Sequence, residues 1–111
     1  MTRLVTRGRF TRDYAKALVS SPEDREPAVR KLVEAVGAKL TNFYFTTGET
    51  DFLLITETAD AESVIASLLA TAAAGMISDV TTSRAWTGEE FKKVAEKAAT
   101  ATSAYRLPGQ R

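Results

Sequence analysis

Apolar residues recur along this chain in two rhythms, and the change from one to the other marks out its elements. Val29, Leu32, Val33 and Val36 follow at the spacing of one helical face, with Gly37 placed to end the helix. Ser21-Pro22-Glu23-Asp24 predicts its start, with Ser at the N-cap, Pro in the first position and acids in the first turn. Thr11 can cap a short helical turn before that. Residues 39–47, rich in aromatic and β-branched side chains, predict a strand, and residues 52–58 predict another. Gly48-Glu49-Thr50-Asp51 joins them in a connection short enough to force an antiparallel hairpin. Asp60 caps a helix whose stripe is Val64, Ile65, Leu68, Leu69 and Ala72, and Gly75 ends it. A further strand follows over 76–86. A weaker first strand, diluted by Arg7, Gly8 and Arg9, runs over 4–10. Thr87-Gly88-Glu89-Glu90 is a capping box opening a last helix with Phe91, Val94 and Ala98.

The resulting order is β-α-β-β-α-β with an extra C-terminal helix. Right-handed crossovers put both main helices on one face of a four-stranded antiparallel sheet, an α+β, ferredoxin-like plan. The hairpin strands carry apolar residues on both faces: Leu40 and Tyr44 alternate with Phe43 and Phe45, and Phe52 and Leu54 with Leu53 and Ile55. A sheet with one wet face shows apolar-polar alternation instead. The uncovered face therefore predicts association with a second copy, or else coverage by the terminal helix folded back across it.

Composition removes several chemistries. The 111 residues suit a single domain, placed at 1–98 with a polar tail at 99–111, and contain neither cysteine nor histidine. Thiolate, disulfide and imidazole chemistry are thereby excluded. A carboxylate Mg²⁺ or Ca²⁺ site is left open, but the acids are scattered and match no ligand loop, so no cofactor or metal is expected, zinc and haem least of all. No apolar run is long enough to span a membrane and no signal peptide is expected, so a cytoplasmic location is predicted. The net charge of +1 hides a basic N-terminus (Arg3, Arg7, Arg9, Arg12) and a basic end (Arg106, Arg111). Residues 13–105 hold nine basic and fourteen acidic side chains, which does not suit a nucleic-acid partner. Residues 51–58 also lack the aromatic and basic run that an RNA-recognition motif needs on its third strand.

Residues 43–55, Phe-Tyr-Phe-Thr-Thr-Gly-Glu-Thr-Asp-Phe-Leu-Leu-Ile, resemble the signature of the GYD domain family, named for a Gly-x-Tyr-Asp hairpin. Residues 81–91, from Thr81 through Arg84 and Trp86 to Phe91, are similar to the family's closing strand and terminal helix. The resemblance covers about residues 3–98 and implies a ferredoxin-like domain of the dimeric α/β-barrel type. Thr50 stands where the naming tyrosine would be, and Arg7 where the family has an apolar strand residue. No catalytic residue is carried over.

Five residues form the candidate ligand-binding set: Arg7, Tyr44, Asp51, Arg84 and Trp86. Arg7, on a central strand, needs an ion pair with Glu57, Asp79 or a partner's acid, or else anchors an anion in a pocket. Arg84 and Trp86 share a face and could line a pocket with Tyr44, or serve as a salt bridge and a packed aromatic under the terminal helix. Asp51 suits a local role in the turn. The expected function is a homo-oligomeric small-molecule-binding or regulatory domain. The alternative, implied by likeness to dimeric α/β-barrel proteins, is a cofactor-free monooxygenase or isomerase using Asp51, Glu49, Tyr44 or Glu57 as acid or base.

Overall fold

The computed structural model describes residues 1–109. Its elements are β1 (Thr2–Phe10), α1 (Arg12–Ser20), α2 (Glu26–Ala35), β2 (Lys39–Phe45), β3 (Phe52–Thr58), α3 (Ala61–Ala73), β4 (Ile77–Ala85) and α4 (Gly88–Ala104). The strands pair in the order β2-β3-β1-β4, antiparallel throughout, which is the ferredoxin-like sheet. Capping follows the sequence: Thr11 accepts from the Tyr14 amide, Asp60 from the Glu62 amide, and Thr87 and Glu90 complete a capping box.

Alternation along the central strands sorts their side chains between two faces. Leu4, Thr6 and Gly8 of β1 and Phe52, Leu54, Thr56 and Thr58 of β3 are buried beneath the helices. Leu40, Val33, Ala38 and Val64 complete this core, with α2 packed on β2 and α3 on β3 and β4. Gly8 lies directly opposite Phe52, whose ring crosses it. A Cβ at Gly8 would meet Phe52 Cζ at 2.7 Å, so only glycine lets that ring lie flat on the sheet.

Three features depart from the sequence reading. The second helix begins at Glu26, not at Ser21-Pro22. Pro27 is the reason: inside a helix started at Pro22 it would lack an N–H for the intrahelical ladder, whereas the first turn tolerates it. On β2 the register slips between Leu40 and Asn42, so Leu40 shares the helix-facing side with Phe43 and Phe45, and Tyr44 points the other way. The last helix runs to Ala104, six residues past the expected domain limit, because residues 98–104 hold helix-forming alanines and no Gly or Pro. No residue of α4 is buried, and the molecule reaches 67 Å in its longest dimension. The helix does not fold back over the sheet. Of the C-terminal segment, Arg111 lies outside the described residues.

Candidate functional site

Between α1, α2, α3 and the sheet, packing leaves a cavity of about 130 Å³. The C-terminal ends of β1 and β2 supply Phe10, Phe43 and Phe45, and β3 supplies Phe52 and Leu54. The helices flank it with Tyr14, Leu32 and Leu68, leaving it open to solvent beside the exposed Leu32 and Phe45. The aromatic walls hold one another: Phe10 stacks on Tyr14 at 5.3 Å, and Phe45 meets Phe10 and Phe43 edge-on at 6.0 and 5.1 Å. Ser67 and Thr71 also line it, but their hydroxyls donate to the Val64 and Ser67 carbonyls within α3. Arg25 is the charged residue of the wall. No Asp or Glu lines it among the described residues.

The five residues singled out from sequence fall in three places. Arg7 stands exposed in the middle of the sheet's open face, between Leu53 of β3 and Thr81 of β4. Among the described residues it has no ion pair, for Glu57 is 4.0 Å from Arg3 instead. Tyr44 lies on that same face at the β2 edge, opposite Leu53, and its hydroxyl accepts from Asn42 at 3.2 Å. Asp51 closes the hairpin onto β1: its amide donates to the Gly8 carbonyl at 2.8 Å, and its carboxylate accepts from the Phe10 amide at 3.2 Å. Arg84 and Trp86 come together, the guanidinium 4.8 Å from the indole centroid. They sit at the β4 edge, with β3 and β1 between them and the β2 edge that carries Tyr44. One chain therefore does not bring Tyr44 to that pair.

Arg84 and Trp86 line an open cleft of about 420 Å³ at the base of α4, with Arg3, Glu90, Lys93 and Lys97. Trp86 meets Phe91 edge-on at 5.6 Å, while Arg3 donates to Glu90 at 2.7 Å. The Thr87 amide and then Arg3 hold the Glu90 carboxyl at a pKa of about 2, below its ordinary 4.5. A depressed carboxyl pKa means that this anchor of α4 is complete above about pH 4.5 and is lost as pH falls through about 2. Carboxyl-carbon NMR should show Glu90 titrating near that lower value. Titration at 4.5 would mean that the capping box and the Arg3 pair do not persist in solution.

The sequence reading missed the cavity. Phe43 and Phe45 at period two were visible as one face of a strand, but Phe10, Tyr14 and Arg25 come from separate elements whose meeting depends on how α1 and α2 lie. Among the described residues no group of three His, Cys, Asp or Glu side chains could hold a metal, and no helix is long and apolar enough to cross a membrane.

Comparison with known proteins gives one family. The sequence model described as GYD domain matches residues 4–95. No curated protein matches the chain. Two solved structures resemble it, each at a TM-score of 0.46 over 78% of this chain. One is the crystal structure of FFRP-DM1, 15% identical and covered over its whole length. The other is a transcriptional regulator from Neisseria meningitidis in complex with L-Met, 18% identical, of which the chain spans about half, 51%.

Proposed function

The chain belongs to the GYD domain family, and from that premise we propose that it is a small-molecule-binding domain working as a homo-oligomer. The observation that carries the binding half is the aromatic-walled cavity beneath the helices. It is a concave, apolar space of about 130 Å³ among four phenylalanines, open to solvent beside the exposed Phe45 and Leu32, and small-molecule sites are concave and mostly apolar in this way. A single-ring molecule is the size that fits: an apolar cavity of about 150 Å³ is known to stay dry and to take up benzene. The catalytic alternative has no such support, since Asp51, Glu49, Tyr44 and Glu57 are all absent from the cavity lining.

The oligomeric half rests on the other side of the sheet. Val5, Leu53 and Ile55 lie around the exposed Arg7 at its centre, half-buried and without a helix above them, and Tyr44 beside them is exposed. Water against such a patch is unfavourable, and a second sheet would remove it. The 17-residue α4 points the same way. A helix of that length is marginal unless an apolar stripe is packed, yet Phe91 and Val94 are exposed. A chain without cysteine also fits a reducing, cytoplasmic setting.

Calorimetry of the full chain with benzyl alcohol, a neutral single-ring probe, tests the binding half. Saturable 1:1 uptake that Leu68→Trp abolishes by filling the space is the expected result. Absence of saturable heat would count against it.

A further inference from the structure

We infer that the cavity selects a small carboxylate, a single aromatic ring or short branched chain bearing one anionic group held by Arg25. This inference rests on the cavity being a binding site, as proposed above, and adds the charge of what it takes. Its ground is the charge in an apolar wall: Arg25 immediately precedes α2 and is the charged residue among the aromatic and aliphatic side chains that line the cavity.

A guanidinium is charged at every physiological pH, and with the Arg25 Nε shielded inside the wall its Nη groups are the donors it can offer. The rest of the group is only partly engaged. Nη1 lies 3.3 Å from Glu23, a pair whose side chains are 31% and 55% exposed, and exposed pairs of this kind are weak. Tyr14 engages it as well: a side-chain hydrogen bond with the tyrosine raises the Arg25 pKa, and the guanidinium carbon lies 5.9 Å from the ring centroid, which holds the group against the aromatic wall. The neighbouring acids are occupied: Asp24 accepts from the Glu26 amide at 3.0 Å, and Glu26 pairs with Arg30. Arg25 makes no side-chain cap to its own helix. A carboxylate entering with its apolar body among Phe10, Phe43 and Phe52 would place its oxygens at the Arg25 side of the wall. There it would accept from the Nη groups at the partly exposed end of the guanidinium. Ser67 and Thr71 do not compete, because their hydroxyls are committed to backbone carbonyls.

The test is calorimetric titration of the full chain, at pH 7 and fixed salt, with benzoate, benzamide and benzylamine. These probes share one ring and differ in charge. Benzoate should bind about tenfold or more tighter than benzamide, the size of one charge-assisted hydrogen bond, with benzylamine weakest. In Arg25→Gln the preference for benzoate over benzamide should vanish, while an unchanged far-ultraviolet circular-dichroism spectrum and melting transition report that the domain remains folded. Equal binding of benzoate and benzamide by the unmodified chain would overturn the charge assignment and leave the cavity reading intact. Retention of the benzoate preference in Arg25→Gln would overturn the role of Arg25. Binding of none of the three would overturn both this inference and the small-molecule reading on which it rests.

Discussion

Leu53→Asp should leave a folded chain that sediments as a 12.0 kDa monomer under conditions where the unmodified chain should sediment as an oligomer. Leu53 sits at the centre of the open sheet face, between Arg7 on β1 and Tyr44 on β2. It is half-buried by its strand neighbours and has no helix above it, so a carboxylate there remains hydrated in the single chain. In the oligomer the same carboxylate would lie between two sheets, where removing a charge from water costs several kcal/mol unless it is paired. Arg7 offers partial compensation, being free of an ion pair among the described residues. The expected weakening is still on the order of hundredfold or more. Leu69→Asp is the control, because Leu69 lies on α3, is 69% exposed and is remote from that face. Equal sedimentation of Leu53→Asp and the unmodified chain would remove the open face as the contact surface.

The second large effect is on stability. Leu40→Ala should lower the unfolding free energy by about 2–5 kcal/mol, the range for truncating a fully buried leucine. Leu40 is 1% exposed, and its carbonyl accepts from Arg30 Nη1 at 3.0 Å, so the backbone around it is tied to α2 and cannot collapse freely. Domains of this size hold about 5–15 kcal/mol in total, so the loss is a large fraction of what there is. Chemical denaturation should show a lowered midpoint with an unchanged slope. Leu69→Ala, on the exposed side of α3, should shift stability by no more than about 0.5 kcal/mol.

These predictions rest on different amounts of sequence information. The strand order, the caps at Thr11, Asp60 and Thr87 and the family were all legible, because each depends on a few neighbouring residues. The start of α2 was legible in principle, since Pro27 forbids an earlier one, but Ser21-Pro22 offers a stronger local signal that competes with it. The slip at Leu40–Asn42 was not legible. A bulge depends on what the partner strand presents, and period-two counting places Leu40 with Tyr44. The candidate site was legible only where one strand carries its residues, as with Phe43 and Phe45, or Arg84 and Trp86. Arg25 shows in sequence as one charge among several near a helix start. What distinguishes it is its place as the charged residue in an aromatic wall, a property of several elements meeting. Asp51 resolves differently. Its carboxylate and amide fasten the hairpin to β1, the local role that a turn aspartate offers.

If the two faces of one sheet do two jobs, a ligand should bind under the helices and a second copy on the bare side. Methyl-resolved NMR of the unmodified chain tests both in a single labelled sample. Adding benzyl alcohol should move the methyl signals of Val29, Leu68 and Ile77, which line the cavity. Diluting the protein should move those of Val5, Leu53 and Ile55 on the open face, and the two sets should not overlap. A spectrum in which neither set moves, or in which the probe shifts only the open-face methyls, would contradict the account.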